Sequence, residues 1–213
     1  MVSDVRKNLI YFIYYNGQVN HWHRLNLEYL NKYWHIFDGQ KIVKIATDGS
    51  QLNALTKLLP KDCEFKIVKN DPVNGEAKHF LHSLGLVNDG ITFYAHCKGV
   101  TRPTNWKGLE KWIESLYRNN LDSIPNLEYK VFSGTCAKLL PCPPYVPEPF
   151  HYSGSFYWFN TAKVKSRAMG FEANKYLTER FPALMANQRE CDFVYPWTKD
   201  NLNFYSELTW MRL

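Results

Sequence analysis

Residues 64–96 read EFKIVKNDPVNGEAKHFLHSLGLVNDGITFYAH. The segment opens with a β-prone run, "EFKIVKND" (64–71), that stops at the turn pair Asp71-Pro72. "GEAKHFLHSLGL" (75–86) then sets Ala77, Phe80, Leu81 and Leu84 on one face of a helix. "ITFYAH" (91–96) is apolar again, and of the length of a buried strand. A strand, a helix and a second strand joined by short links predict two parallel strands with a right-handed crossover. The helix must then cover a face of the sheet, so the class is α/β.

Upstream the alternation continues. "LIYFIYY" (9–15) predicts a strand closed by Asn16-Gly17, and 21–38 carries Leu27, Leu30, Trp34 and Phe37 at helical spacing. "KIVKIATDG" (41–49) reads as a strand, and "SQLNALTKLL" (50–59) as a helix with Ser50 as N-cap and Pro60 as its stop. Downstream, 105–121 is an amphipathic helix with Trp106, Leu109, Trp112, Ile113 and Leu116 on its apolar face. "EYKVFSGTC" (128–136) is a strand, "KLLPCPPYVPEPF" (138–150) an extended proline-rich loop, and "HYSGSFYWFNT" (151–161) a short aromatic strand. Residues 162–171 and 172–185 read as helical, 188–198 as a polar-aromatic stretch, and 203–213 as a last strand or docked helix. The expected fold is a mixed, mainly parallel sheet flanked by helices, regular at first and loop-rich in its C-terminal half.

The 213 residues are 45% hydrophobic and 16% aromatic, enough for a substantial core, which excludes disorder. The net charge of +6 is scattered without a long Lys/Arg run, so the composition favours a local anion site over a surface that coats nucleic acid. Five cysteines (Cys63, Cys97, Cys136, Cys142 and Cys191) are an odd number with no CxxC pair, pointing to a reducing, cytoplasmic setting. The first apolar run is too short to span a bilayer, so no membrane partner is expected.

In a parallel sheet ligands lie beyond the carboxyl ends of the strands. Four such ends should converge here: Tyr14-Tyr15-Asn16, Thr47-Asp48, Asn70-Asp71 and His96-Cys97-Lys98. Neither GxGxxG nor GxxxxGK[ST] is present. The block 74–96 resembles one from nucleotide-sugar glycosyltransferases of the GT-A type, where a helix with an Ala-Arg pair precedes a strand ending in Asp-x-Asp. Ala77-Lys78 stands in place of Ala-Arg, and Tyr94-Ala95-His96 in place of the metal-holding Asp-x-Asp. "YAHCKGVTRPTNWKGLEKWIESL" (94–116) is similar to a His-x-Lys variant in glycosyltransferases of the rhamnan-synthesis type, and "YSGSFYWFNTAKV" (152–164) to their Gly-aromatic-aromatic block. The whole chain resembles the N-terminal glycosyltransferase domains of multidomain chlorella-virus enzymes that decorate the major capsid protein.

The resemblance implies a Rossmann-like GT-A fold in one domain over 1–213, with a nucleotide-sugar-binding half to about 103 and an acceptor-binding half beyond. It implies a hexosyltransferase using a UDP-sugar, with rhamnose as the transferred sugar and a glycan or glycoprotein acceptor such as a viral capsid glycan. It also implies further domains of a larger polypeptide and, for a virus-encoded chain, the host cytoplasm.

Residue chemistry gives each position a role. Lys98, beside the flexible Gly99 and followed by Arg102, suits the diphosphate whose negative charge grows as it leaves. His96 can donate to phosphate or serve as the candidate metal ligand, so a divalent cation (Mn²⁺ or Mg²⁺) stays open as an alternative to the protein's own cations. Lys78 and His79 begin the helix and face the donor; Asp48 and Asp71 can accept from uracil or ribose, although Asp71 can equally cap the turn before Pro72. Tyr14 or Tyr15 can stack on uracil, and alternation puts the other in the core. Ser153, Gly154, Ser155 and Trp158 are the acceptor and sugar candidates, although a regular strand would turn Trp158 away from both serines. Asp192 and Glu190 are the candidate catalytic bases, sharing a face if their segment is a strand. The pair His21-Trp22-His23 lacks a third ligand and reads as structural. With no aspartate pair after the fourth strand, a non-catalytic carbohydrate- or nucleotide-binding domain of the same fold is the alternative.

Overall fold

Alternation along β1 (Lys7–Tyr14) sends Leu9, Tyr11 and Ile13 to one face of a sheet and Ile10 to the other, and all four are buried. A strand apolar on both faces must be covered twice. The computed structural model, which describes residues 5–49, 51–106, 108–138, 147–168 and 170–194, shows how. Strands β2 (Lys41–Thr47), β3 (Phe65–Lys69) and β4 (Ile91–His96) lie parallel to β1, with β1 and β2 in register from Leu9↔Lys41 to Tyr14↔Ala46. Helices α1 (His21–Tyr33) and α4 (Leu109–Leu121) contribute Trp22, Leu27, Trp112 and Leu116 to the core on the Leu9 face. On the Ile10 face sit α3 (Gly75–Leu86) and α6 (Leu177–Met185), through Phe80, Leu84 and Phe181. Between α1 and α3, the segment after β2 holds one short helix, α2 (Asn53–Thr56).

The later half adds β5 (Phe132–Thr135), the two-residue strands β6 (Ala137–Lys138) and β7 (His151–Tyr152), β8 (Tyr157–Asn160), α5 (Thr161–Lys165) and β9 (Cys191–Val194). The sheet order is β3-β2-β1-β4-β8-β5-β9, with β8 antiparallel to both its neighbours and β9 parallel to β5. The sheet is therefore mixed and mainly parallel, flanked by helices, as the alternation requires. Strand β3 closes one edge with Lys66 and Lys69, charges that discourage edge pairing.

Local expectations are corrected in several places, among them the helices expected over 162–171 and 172–185, of which α5 and α6 are the helical parts among the described residues. The helix expected over 50–59 is only the single turn α2, and its proposed cap Ser50 lies outside the described residues. The helix after Pro103 starts at Leu109, because Gly108 takes a left-handed φ of 82° and breaks the run, leaving Trp106 before the helix. The strand expected over 128–136 is confined to β5 and ends where Cys136 adopts φ 55°. The aromatic strand expected over 151–161 is two strands, β7 and β8, split by a turn in which Gly154 and Ser155 have φ of 94° and 59°. Most of the proline-rich loop and the tail from 195 onward lie outside the described residues. No helix among the described residues is long and apolar enough to cross a membrane.

Candidate functional site: a cationic cleft at the strand ends

Strands β1 and β4 pair so that Phe12 lies beside His96, and both chains leave the sheet at one edge. Beyond that edge is a cleft of about 380 Å³, whose walls include Tyr14 after β1, Asp71 and Glu76 before and within α3, His96 and Lys98 at the end of β4, and Trp112 of α4. Clefts of this size hold nucleotide-sized ligands.

The loop after β4 is fixed from beneath. Asn26 of α1, fully buried, accepts from the Lys98 N–H (3.1 Å) and donates to the Lys98 carbonyl (2.9 Å), continuing the strand's hydrogen bonding with a side chain. Tyr117 donates to the same Asn26 oxygen (3.3 Å), and its hydroxyl meets that of Tyr11 at 2.6 Å. Gly99 follows with φ 82°, and a Cβ there would sit 2.6 Å from Leu109 Cδ2, so glycine is required by backbone and packing alike. The Lys98 ammonium lies 4.7 Å over the Trp112 ring and the Arg102 guanidinium 4.6 Å over Trp106. Neither cation has a carboxylate partner among the described residues, and both line the cleft, with Lys175 as a third.

The opposite wall holds a group that the sequence reading missed. Glu76, in the first turn of α3, accepts three hydrogen bonds on one oxygen, Oε1: from His96 Nδ1 (2.7 Å), Tyr94 Oη (2.8 Å) and Thr178 Oγ1 (2.9 Å). Burial pushes its pKa up, but the His96 imidazole and these three donors outweigh it and hold the carboxyl down at about 2. Its partners are 18, 20 and 102 residues away, so only the fold assembles them.

The structure brings Tyr14, Asp71, His96, Lys98 and Arg102 to the cleft, and places the remaining candidates elsewhere. Tyr15 is 1% exposed and donates to the Gln51 carbonyl; it is the core member of the tyrosine pair. Asp71 gives Oδ1 to the Val73 and Asn74 N–H groups and Oδ2 to Lys78, so it caps the turn, with Lys78 first among the causes that hold its pKa at about 2. Lys78 is accordingly engaged with Asp71, outside the cleft wall. His79 stacks on Phe12 at 5.8 Å, and Asp48 is exposed beyond the cleft.

The acceptor candidates are buried. Trp158 is 1% exposed and donates to the Asn120 carbonyl. Gly154 donates to Glu179, and a Cβ on it would meet Leu116 at 3.1 Å, so its smallness serves packing. Ser153 pairs with His151, and Ser155 donates to Thr178, which in turn donates to Glu76. Ser155 thus supports the cleft from behind.

Asp192 and Glu190 do not reach the cleft. Asp192 is in β9, three strands from β4, a separation of about 14 Å at ordinary strand spacing. It pairs with Lys130 at 3.5 Å. Glu190 precedes β9 in a 3₁₀ turn and pairs with Arg167 at 2.7 Å. They do not share a strand, as the same-face expectation required.

His23 closes a capping box with Asn20 and reaches the Tyr14 carbonyl at 2.9 Å, so His23 is structural, while His21 is exposed beside it. Among the described residues no three His, Cys, Asp or Glu side chains group to hold a metal ion. At the cleft the donors are largely occupied: Glu76 Oε1 by three hydrogens, Asp71 by Lys78 and two N–H groups, His96 Nδ1 by Glu76. Glu76 Oε2 and the second ring nitrogen of His96 make no hydrogen bond among the described residues, and the cations that line the cleft are the side chains of Lys98, Arg102 and Lys175.

No family model matches the chain, and no curated protein matches it. Among solved structures it is similar to a 4-diphosphocytidyl-2C-methyl-D-erythritol synthase (12% identity, 95% of each chain covered, TM-score 0.43). It is also similar to glucosyl-3-phosphoglycerate synthase from Mycobacterium tuberculosis, solved with Mn²⁺, UDP-glucose and phosphoglyceric acid (11% identity, 91% of this chain and 70% of that one, TM-score 0.46). A cytidylyltransferase from Leptospira borgpetersenii gives 10% identity over 90% of this chain and 76% of that one, with a TM-score of 0.41.

Proposed function

We propose that the chain is a glycosyltransferase that binds a UDP-sugar in the cleft beyond β1 and β4 and passes the sugar to a hydroxyl of a glycan or glycoprotein. The observation that carries this reading is a pair of cations with no carboxylate partner among the described residues, Lys98 and Arg102, each fixed over an indole ring in the loop that leaves β4. As the bond from the anomeric carbon to the diphosphate breaks, negative charge grows on the leaving oxygen. Cations already in place stabilise it without reorganising. His96, its Nδ1 held by Glu76, lines the cleft, and Tyr14 offers a ring to the uracil. Rhamnose as the sugar, a viral capsid glycan as the acceptor, one domain with donor and acceptor halves, and membership of a larger polypeptide rest on the resemblance of 74–116 and 152–164 alone.

Titrating UDP into the protein and assaying UDP release from UDP-sugars tests the reading. Lys98→Ala should weaken UDP about tenfold or more, the size of a lost charge-assisted hydrogen bond. An unchanged affinity would remove Lys98 from the site, and a wild-type protein indifferent to UDP would end the proposal. A second reading, a binding domain without catalysis, is favoured by one observation: the two carboxylates that line the cleft among the described residues, Asp71 and Glu76, are both held at a pKa of about 2, so neither is poised as a base. UDP binding without UDP release on any acceptor would select it.

A further inference from the structure

Glu76 is held in an unusual way: all three of its donors fall on Oε1, and the side chain keeps 31% of its exposure where it lines the cleft. Oε2 has no hydrogen-bond partner among the described residues and is not among the sealed-off polar atoms. One carboxylate oxygen is therefore clamped and the other presented. An ionised carboxylate oxygen accepts hydrogen bonds and repels anions, so the diphosphate belongs with Lys98 and Arg102 on the facing wall. A ligand group complementary to Oε2 must be neutral or cationic and must donate. The hydroxyls of the hexosyl group answer that description without competing for the cations; those of the ribose do so too, but they are present in UDP itself, so a contact with them would show as an equal loss for UDP and UDP-hexose. Uracil also has an N–H donor, but the face offered to a base is Tyr14, on the β1 side of the cleft.

We infer that Glu76 is the donor-sugar specificity residue of this cleft, its free oxygen accepting a hydroxyl of a neutral hexosyl group while His96, Tyr94 and Thr178 fix its partner oxygen. The inference rests on the UDP-sugar reading above and deepens it. The low pKa of Glu76 is consistent with it, because an acceptor must stay ionised at working pH. Ser155, two bonds back through Thr178, belongs to the support of this residue.

The experiment is calorimetric titration of UDP, UDP-glucose, UDP-galactose and UDP-rhamnose into wild type and Glu76→Gln, in EDTA and again with Mn²⁺. Glutamine retains one oxygen for the three donors but turns an N–H₂ toward the cleft. Wild type should bind at least one of the UDP-hexoses about tenfold more tightly than UDP in EDTA, as expected for a hydrogen bond to a charged group. Glu76→Gln should keep the affinity for UDP and lose that excess. Deoxy analogues of the preferred donor, titrated into wild type, give a readout independent of the variant's folding: one of them should drop to the affinity of UDP. Equal losses for UDP and UDP-hexose in Glu76→Gln, an excess that survives the substitution, or an excess that exists only with Mn²⁺ would each overturn the inference. So would deoxy analogues that all bind like the parent. Wild type that binds UDP with no excess for any hexose defeats this inference alone; wild type that binds no UDP defeats the nucleotide-sugar reading beneath it.

Discussion

Lys98 is held in position by a buried residue that does not line the cleft. Asn26 takes both hydrogen-bonding groups of the Lys98 peptide, so Asn26→Ala would strand a buried N–H and C=O at the exit of β4. We expect a loss of about 1–3 kcal/mol in urea denaturation, with UDP affinity falling several-fold as the loop is released. Destabilisation with UDP affinity intact would show Asn26 to be structural only. Lys98, His96 and Arg102 were legible in the sequence because they are neighbours in it, following an apolar run that had to end at a sheet edge. Glu76 and Asn26 were not, because their importance comes from partners 18 to 102 residues away. For the same reason Ser153, Gly154, Ser155 and Trp158 were misplaced: a run of aromatics does not say which face of which layer it will fill.

Among the elements, α6 carries an apparent defect that ties it to the cleft. Pro182 sits inside the helix and has no N–H to give the carbonyl of Thr178 four residues earlier. The Tyr157 hydroxyl donates to that carbonyl instead, at 2.9 Å, from β8. Tyr157→Phe should leave it unpaired and destabilise the fold by about 1–2 kcal/mol in chemical denaturation. Donor binding should weaken less than stability, because the Thr178 hydroxyl still reaches Glu76. A variant as stable as wild type would refute the pairing. Strand and helix alternation through β4 was readable from periodicity because the strands and the helices α1 and α3 are continuous there, the single turn α2 being the exception. Beyond Pro103 the breaks are set by backbone angles at Gly108, Cys136, Gly154 and Ser155, and two of those four are not glycine. Positive φ at Cys136 and Ser155 has no signature in residue type, so the strands around them were drawn too long.

For the whole molecule, the pH response of stability should carry the mark of Lys44. This lysine, 3% exposed on β2, donates to the His79 carbonyl (3.0 Å) and meets His82 Nδ1 (2.9 Å) under α3. Burial, then the nearby Lys66, lowers its pKa from 10.5 to about 8. The unfolded chain therefore binds more protons than the native one between pH 8 and 10.5, and this group's contribution to stability rises with pH across that window. Below pH 8 its full cost is felt. Denaturation at a series of pH values should show wild type gaining on Lys44→Met from pH 8 to 10.5, with a flat difference just below pH 8, above the range where His79 and His82, whose pKa values Lys44 helps to lower, titrate; a flat difference from pH 8 to 10.5 would refute the buried charge. What the sequence determined by itself was the order of strands and helices, the parallel core of the sheet and the cationic turn after β4, because local periodicity and a strand's need to end are properties of contiguous residues. What only the tertiary structure decided was the wall facing that turn: Glu76 and its three donors, the clamp on Lys98, and the distance of Asp192 from both. Those depend on which strands become neighbours, and hydrogen bonds between distant residues form only once the sheet order is set.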